Sequence, residues 1–185
     1  LLGPTIVTRW AYATAKAVNE HLALAYAERE GLRVSIVRYF NAYGPRLDAQ
    51  SYGSVIARFI AQALRGEPLT VHRDGRQTRC FTYVTDTVRG TILAASHPAG
   101  VGEIFNIGAE EEISIRELAE RIIALTGSAS SVVLVPYEQV YGDRFEDPPR
   151  RRPDTRKASR LLGFQAEVPL DEGLRQTVAY LRDSM

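Results

Sequence analysis

Apolar and polar residues follow two different spacings along this chain, and together the spacings predict an α/β fold. Apolar residues recur every three to four positions, among good helix formers, in segments that we expect to be helices. These segments are residues 9–30, 54–65, 86–96, 114–126, 155–162 and 170–182. Short apolar, β-branched runs between them predict strands at residues 34–40, 69–72, 80–84, 104–107 and 132–135. Helix, turn and apolar strand in succession form half of a βαβ unit, so the sheet is expected to be parallel.

Several residues mark where these helices begin or end. Ser114 and Glu117 have the spacing of a capping box, and Gly127 follows the last apolar position of that helix. Gly31 is placed to end the first helix, and Asp86 to cap the helix that runs to residue 96. Residues 141–153, with two consecutive prolines and three consecutive arginines, are expected to be irregular.

The run of residues 34–40 leads into the most informative loop. It is nearly all apolar and β-branched, which predicts a strand covered on both faces. The turn-rich sequence Asn41-Ala-Tyr-Gly-Pro-Arg46 follows it directly. Ligands of open α/β sheets bind outside the carboxyl ends of the strands, so this loop is a candidate binding site.

A second candidate site lies at the front of the first helix. Tyr12 and Lys16 are one helical turn apart and therefore face the same way. A nearby ammonium favours phenolate over phenol, which would let Tyr12 exchange protons near neutral pH although a free tyrosine has a pKa of about 10. Taken alone this spacing is weak, because a solvated lysine beside a half-buried tyrosine occurs on many helices.

Composition narrows the class of protein. A formal net charge of +1 in 185 residues gives no general attraction for nucleic acid, and the three consecutive arginines do not change that. One cysteine excludes an internal disulfide and a cysteine-based metal cluster, and it fits a reducing, cytoplasmic location. The histidines show no metal-ligand spacing, and no apolar run approaches the roughly 20 residues that a membrane span requires. We therefore expect no metal, nucleic acid or membrane partner.

Five motifs occur in an order that is typical of one enzyme family. They are Tyr12-x-x-x-Lys16, Arg38-Tyr-Phe-Asn-Ala-Tyr-Gly-Pro-Arg46, Asp74-Gly-Arg-Gln-Thr-Arg-Cys-Phe81, Phe105-Asn-Ile-Gly108 and Arg151-Arg-Pro-Asp154. With them the chain resembles the extended short-chain dehydrogenases/reductases that act on nucleotide sugars. The resemblance implies an NAD-dependent enzyme with the C-terminal part of a Rossmann-type doubly wound parallel sheet and a small α/β substrate-binding subdomain. It also implies a homodimer, for which the apolar stripe of residues 9–30 is suitable, although burial within one subunit would explain that stripe equally well.

The resemblance assigns roles to individual residues. Tyr12 and Lys16 would be catalytic and contact the cofactor, and Asn41 would contact the substrate. Arg79 and Arg151 would hold the substrate diphosphate, which guanidinium groups match in a bidentate way. Arg152 is the alternative to Arg151. The resemblance also implies contacts to the nucleotide base from Val55 of the second helix and from Leu69, Val71 and His72 of the strand at 69–72. Ordinary roles in the core fit these residues equally well.

One family feature has no counterpart in the sequence. The 185 residues contain no Gly-x-Gly-x-x-Gly pattern to seat a dinucleotide pyrophosphate. The chain also begins Leu1-Leu2-Gly3-Pro4 rather than with methionine, as if cut from something longer. We therefore expect residues 1–50 to be the end of the NAD-binding domain, and residues 51–185 to be mainly the nucleotide-sugar subdomain with some segments returning to the first.

The resemblance leaves several activities open. All begin with oxidation of the sugar at C4 to a ketone. A UDP-sugar 4-epimerase is the first expectation, because it needs no acid or base beyond the tyrosine. A UDP-glucuronate decarboxylase is the alternative, and a 4,6-dehydratase is a third. The sequence Arg9-Trp-Ala-Tyr12 and residues 137–147 resemble a decarboxylase or a related epimerase subgroup. A non-catalytic fragment that only binds nucleotide sugars is the alternative of a different class.

Overall fold

Helices and strands alternate along the chain, as the periodicity predicts. The structure is a computed structural model that describes residues 3–7, 9–47, 54–141 and 147–184. The helices are α1 (Arg9–Glu30), α2 (Val55–Leu64), α3 (Val84–Ser96), α4 (Ile115–Thr126), α5 (Glu138–Tyr141), α6 (Arg156–Leu162) and α7 (Leu170–Asp183). The strands are β1 (Ile36–Tyr39), β2 (Ala42–Tyr43), β3 (Leu69–His72), β4 (Thr78–Cys80), β5 (Thr82–Tyr83), β6 (Ile104–Ile107), β7 (Glu112–Ser114), β8 (Val132–Val135) and β9 (Arg150–Arg151).

Parallel pairing dominates, as expected for βαβ connections. β1 pairs with β6, β2 with β5, and β3 with β8, each pair parallel. β4 pairs with β9 in parallel and with β7 in antiparallel orientation. In the β4–β9 pair, Arg79 stands opposite Arg151. The topology thus brings two predicted diphosphate ligands, 72 residues apart in sequence, into one sheet.

Local signals were read correctly at some helix ends and wrongly at one. The Ser114 hydroxyl accepts the Glu117 N–H at 3.1 Å, and Gly127 closes α4 with φ 66°, so both predicted caps are confirmed. The prediction that Asp86 caps a helix is wrong. Tyr83 is the residue before the first turn of α3, and Asp86 lies buried within that turn.

β1 differs from the strand that the sequence predicts. It is shorter than residues 34–40, and its second half is not covered on both faces, since Arg38 and Tyr39 are exposed. The side chain of Arg38 extends from β1 to α1, where it donates two hydrogen bonds to the Glu20 carboxylate, at 2.6 and 2.5 Å. These bonds tie the helix that carries Tyr12 to the strand that leads into Asn41.

The apolar core has two parts. The main core lies between α2, α4 and α7 and the strands beside them, and its fully buried side chains include Phe59, Leu118 and Leu174. A smaller core packs α3 and α6 against β6 around Phe105 and Phe164. Asp86 joins the segment before α7 to α3, because its Oδ2 atom accepts the N–H groups of Glu167 and Val168, both at 2.9 Å.

The apolar stripe of α1 is not buried within the described part of the chain. Val18, Leu22 and Tyr26 are 48%, 53% and 57% exposed. These side chains are therefore free to pack against a surface outside the described residues.

Within the described ranges, the helices are too short or too polar for any of them to cross a membrane.

Candidate functional site

Tyr12 and Lys16 lie on the first half of α1, and both side chains reach the surface. Tyr12 is 71% exposed. The Lys16 Nζ atom lies 5.6 Å from the centroid of the Tyr12 ring, within the range of a cation–π contact. The predicted pairing of phenol and ammonium on one helix face is therefore present in the geometry, with the hydroxyl accessible to a ligand.

Thr82, which directly follows the motif at residues 74–81, connects it to the segments that carry two other family motifs, at residues 38–46 and 105–108. Its hydroxyl donates to the carbonyl of Phe40 at 2.8 Å and accepts the N–H of Ala109 at 3.0 Å. Its backbone N–H donates to the carbonyl of Asn41 at 3.2 Å. Thr82 is fully buried, so these bonds fix the loop after β1 against the loop after β6.

Gly108 lies where the same segments come closest. A Cβ atom at this position would lie 3.0 Å from Phe40 Cβ, 3.2 Å from Pro153 Cγ and 3.3 Å from Thr82 Oγ1. These contacts are tight from three sides, so the glycine permits an approach that a larger residue would push apart. The motifs at residues 38–46, 74–81, 105–108 and 151–154 thus converge on one point.

Asn41 and Arg151 contact each other at this point. The Asn41 backbone has φ 41°, so it is also the turn residue that the sequence allows. Its Nδ2 atom donates to the carbonyl of Cys80 at 2.6 Å, and its Oδ1 atom accepts from Arg151 Nη2 at 3.0 Å. The side-chain amide is therefore oriented from both ends.

Arg151 and Arg152 point to different partners. Arg152 Nη2 donates to Glu110 Oε2 at 2.6 Å, and Thr155 Oγ1 donates to Glu110 Oε1 at 2.5 Å. These bonds hold the pKa of Glu110 below its ordinary value. Because Arg151 reaches Asn41 while Arg152 reaches Glu110, the geometry favours Arg151 as the residue of this run that belongs with the other predicted ligands.

Arg79 is buried and forms an ion pair. Its side chain is 6% exposed and that of Asp147 is 12% exposed, and their Nη2 and Oδ2 atoms lie 2.5 Å apart. Arg79 Nη1 also donates to the carbonyls of Thr78 at 2.6 Å and Pro148 at 3.0 Å. The Tyr137 hydroxyl donates to the same Asp147 oxygen at 2.7 Å. The predicted diphosphate ligand is therefore occupied by a carboxylate of the chain itself.

The strand predicted to contact the base is half core and half edge. The side chains of Leu69 and Val71 are fully buried. The Leu69 N–H donates to Ser131 beside β8, so the alternation of a parallel pair turns the backbone of Thr70 and His72 to the opposite edge. There Gln62 accepts the Thr70 N–H, and Arg58 Nη2 donates to the Thr70 carbonyl, both at 3.3 Å. The backbone groups of Leu69 and Val71 therefore face β8, and those of Thr70 face the opposite edge.

Val55 and His72 are the other two residues predicted to contact the base, and His72 is the last residue of β3. Val55 begins α2 and is partly buried against the main core. The rings of His72 and Tyr137 are 5.7 Å apart with their planes at 65°. Burial and, to a lesser extent, the Arg58 charge lower the pKa of His72, so its neutral form is favoured. Through Tyr137 this histidine is connected to Asp147 and Arg79.

Charged and nucleophilic groups of β4 and β7 have perturbed pKa values. Hydrogen bonds from Arg150, at 2.6 to 3.1 Å, lower the pKa of Glu112 to about 2. Burial raises the pKa of the Cys80 thiol to about 11. Cys80 is thus an uncharged core residue next to the site rather than a nucleophile.

The structure brings Asn41, Arg79 and Arg151 together, and connects His72 to them, but it leaves Tyr12 and Lys16 apart. No hydrogen bond or ion pair joins that pair to the cluster within the described residues. Sequence analysis missed Thr82, Glu110, Tyr137 and Asp147 as members of the site. Tyr137 and Asp147 bound the segment already noted as a subfamily feature, of which residues 142–146 lie outside the described part.

Comparison with known proteins assigns the chain to a family. Residues 1–108 match the model of the NAD dependent epimerase/dehydratase family. The chain is 48% identical over 183 residues to a UDP-N-acetyl-alpha-D-glucosaminuronate decarboxylase of Bacillus cytotoxicus, covering 99% of this chain and 56% of that protein. It is 41% identical over 177 residues to UDP-glucuronic acid decarboxylase 1 of Xenopus tropicalis, covering 96% of this chain and 40% of that protein. The chain thus spans about half the length of these curated relatives.

Solved structures of similar fold give the same assignment. UDP-glucose 4-epimerase of Thermotoga maritima, solved with UDP-glucose, matches with a TM-score of 0.86 and 34% identity over 94% of this chain and 53% of that one. UDP-glucuronic acid 4-epimerase of Bacillus cereus, solved with UDP-glucuronic acid and NAD, matches with a TM-score of 0.83 and 31% identity over the same shares. These likenesses confirm the predicted α/β, Rossmann-type fold class. With its family motifs in order and its fold matched, the chain belongs to the NAD dependent epimerase/dehydratase family, whose members it resembles are NAD-dependent UDP-sugar decarboxylases and epimerases.

Proposed function

We propose that this chain forms the sugar-nucleotide-binding and proton-transfer part of an NAD-dependent decarboxylase of UDP-uronic acids. The observation that carries the proposal is the 48% identity to a UDP-N-acetyl-alpha-D-glucosaminuronate decarboxylase along 99% of the chain. Decarboxylases of UDP-glucuronic acid follow at 41% and 40% identity. The decarboxylase is thus favoured over the 4-epimerase that the sequence analysis placed first.

The residues of α1 fit a nicotinamide cofactor. Tyr12 and Lys16 are exposed on one helix face. A helix that offers its hydroxyl and ammonium groups to a bound dinucleotide needs both groups to be accessible in this way. When bound, NAD supplies a hydride acceptor for C4 of the sugar. Lys16 would hold the nicotinamide ribose of this cofactor.

Tyr12 would move the proton of the reaction. As phenolate it takes the proton of the sugar 4-hydroxyl while C4 is oxidised. The resulting 4-keto uronic acid is a β-keto acid, so the bond from C5 to the carboxyl carbon breaks, carbon dioxide leaves, and the electron pair forms an enolate with the C4 carbonyl. No additional acidic residue of the described cluster is required to break this bond. A proton added at C5 and reduction of C4 back to the alcohol, with Tyr12 returning its proton to the oxygen, would complete the product.

The cluster around Gly108 would hold the UDP moiety. Asn41 and Arg151 present an oriented amide and a guanidinium, and Arg79 lies opposite Arg151 in the sheet. Guanidinium groups recognise the diphosphate dianion through paired, charge-assisted hydrogen bonds. The edge of β3 at Thr70, rather than Leu69 or Val71, would face the base, with Val55 and His72 beside it.

A UDP-sugar 4-epimerase is the second candidate. The solved structures of similar fold favour it, since two of them are 4-epimerases at 34% and 31% identity. Both reactions share the oxidation at C4 and differ only in the fate of the ketone.

Product analysis tests the proposal. The full-length protein is incubated with NAD and either UDP-glucuronate or UDP-N-acetylglucosaminuronate, and the products are measured by mass spectrometry. A decarboxylase lowers the mass of the nucleotide sugar by that of carbon dioxide, whereas an epimerase leaves it unchanged.

Replacing Tyr12 by Phe should abolish turnover while UDP binding is kept, because only the hydroxyl is lost. Full turnover by this variant would exclude the proton-transfer role.

The proposal includes a homodimer formed through α1 and a cytoplasmic location. Val18, Leu22 and Tyr26 give this helix an exposed apolar stripe, which supports a partner surface. Sedimentation of the purified protein distinguishes a dimer from a monomer.

A further inference from the structure

We propose that the Asp147 carboxylate occupies the place of the substrate diphosphate, so that UDP-sugars bind Arg79 and Tyr137 by displacing it. The inference rests on the proposed function, since it concerns the diphosphate site. It adds Tyr137 as a ligand of the diphosphate and Asp147 as its internal competitor.

The geometry of the ion pair carries the first step. Two donors from different elements, Arg79 Nη2 of β4 and the Tyr137 hydroxyl beside α5, converge on the single oxygen Oδ2 of Asp147, at 2.5 and 2.7 Å. A guanidinium and a hydroxyl that meet at one anionic oxygen form an anion site, and here the anion is supplied by the chain.

The position of Arg79 carries the second step. It stands opposite Arg151 in the β4–β9 pair, and Arg151 contacts Asn41. A diphosphate held by Arg151 would therefore lie next to Arg79. Arg79 Nη1 is already committed to the carbonyls of Thr78 and Pro148, so the Nη2 edge, which Asp147 occupies, is where a phosphate oxygen would compete.

Electrostatics make the two anions mutually exclusive. A diphosphate and a carboxylate near one guanidinium repel each other, and the pair is largely shielded from solvent, which strengthens that repulsion. The measured affinity for UDP is the intrinsic affinity multiplied by the fraction of molecules in which Asp147 has moved away from Arg79. Removing the negative charge of Asp147 should therefore increase affinity.

The test measures binding of UDP and of uridine to the full-length protein by calorimetry. Asp147→Asn keeps the shape and an acceptor oxygen but loses the charge, and we expect UDP to bind roughly tenfold more tightly while uridine, which lacks phosphates, is unaffected. Asp171→Asn is the matched control, because Asp171 of α7 also pairs with an arginine, Arg121 of α4, at 3.0 Å. We expect this variant to bind UDP with the affinity of the wild type. If the wild type binds UDP and Asp147→Asn binds it with the same or a lower affinity, the inference is overturned and the proposed function stands. A wild-type protein that does not bind UDP overturns the proposed function as well.

A second variant isolates Tyr137. Tyr137→Phe is made in the Asp147→Asn background, where the carboxylate no longer competes for the hydroxyl. We expect UDP binding to weaken several-fold relative to Asp147→Asn, again without an effect on uridine. Equal affinities for UDP would remove Tyr137 from the site.

A structure of the wild-type protein with UDP tests the inference without any variant. This matters because Asp147→Asn leaves the buried Arg79 charge without its counter-ion, which destabilises proteins. The inference requires a phosphate oxygen, in place of Asp147 Oδ2, within hydrogen-bond distance of Arg79 Nη2 and the Tyr137 hydroxyl. An intact Arg79–Asp147 pair beside bound UDP would refute it.

Discussion

At the scale of single residues, the buried hydroxyl of Thr82 joins two loops of the candidate site. It bonds the carbonyl of Phe40 and the N–H of Ala109, two backbone groups just beyond the ends of the paired strands β1 and β6. Because the site is buried, water cannot replace either bond. The Thr82 hydroxyl thus adds to the β1–β6 pairing and to the backbone bond between Thr82 and Asn41 in fixing Asn41 against the loop after β6.

We expect Thr82→Val to lower the free energy of unfolding by about 1–3 kcal/mol, because the substitution keeps the shape and leaves a buried donor and acceptor unpaired. Urea unfolding measures the change. Thr82→Ser is the matched control, since it keeps the hydroxyl and loses only a methyl group. Equal losses for Val and Ser would show that packing, rather than hydrogen bonding, accounts for the role of this residue.

Cys80 provides a prediction on pH. Burial raises the pKa of its thiol to about 11, above the ordinary value of 9.0. The folded protein therefore retains this proton at a pH where the unfolded chain loses it, and the free energy of unfolding falls as the pH rises from about 9 to about 11. Cys80→Ala should flatten this part of the stability curve. The same burial predicts slow alkylation of the folded wild type and fast alkylation in denaturant, and rapid labelling of the folded protein would contradict it.

The sequence nominated candidate residues but not their contacts. Asn41, Arg79 and Arg151, which the structure brings together, could be nominated because motifs are read from residue type and order. The partners of Arg79 could not, because Asp147 lies 68 residues away and reaches it only through the β4–β9 pairing. Asp86 was misread for a related reason. An aspartate near a helix start is compatible with capping, and only the tertiary structure shows that it accepts from Glu167 and Val168.

At the scale of elements, periodicity predicted the long helices and failed for the shortest strands. β2 and β9 have two residues each, too few to show an alternation, and both exist because a neighbouring strand offers backbone partners.

α7 shows the opposite situation, in which a residue that is unfavourable for a helix is required by packing. Gly173 lies in this helix, and a Cβ atom there would lie 2.8 Å from Tyr83 Cδ2 and closer still to the Tyr43 hydroxyl.

Gly173→Ala is expected to destabilise the protein, although alanine in a helix interior is ordinarily favoured over glycine by about 1 kcal/mol. The added methyl group would displace the ring of Tyr43, whose hydroxyl donates to the Leu170 carbonyl at 3.0 Å, and such overpacking costs about 1–3 kcal/mol. Thermal unfolding measures the net effect. Ala179→Gly, at an exposed position of the same helix, reports the helix propensity alone. A stabilised Gly173→Ala variant would mean that α7 has room to shift away from β2.

At the scale of the whole molecule, stability is distributed unevenly. The main core joins α2, α4 and α7, whereas α1 contributes none of the buried core side chains in its described part. Two hydrogen bonds from the exposed Arg38 of β1 to Glu20 link α1 to the sheet. The sequence predicts α1 well, because its apolar stripe and helix formers suffice. It cannot say what covers that stripe, since an amphipathic pattern specifies a covered face and not the surface that covers it.

Hydrogen exchange should reveal this division. In the 185-residue chain at high dilution, we expect the amides of α1 to exchange through local opening of low free energy, and those of α2 and α4 only through opening of the main core. If a second copy covers Val18, Leu22 and Tyr26, as the proposed homodimer requires, protection of α1 alone will rise with protein concentration, because association stabilises only the elements that it buries. Protection of α1 equal to that of α2 at every concentration would contradict both the uneven distribution of stability and the dimer surface, since the helix would then be held by contacts within its own chain.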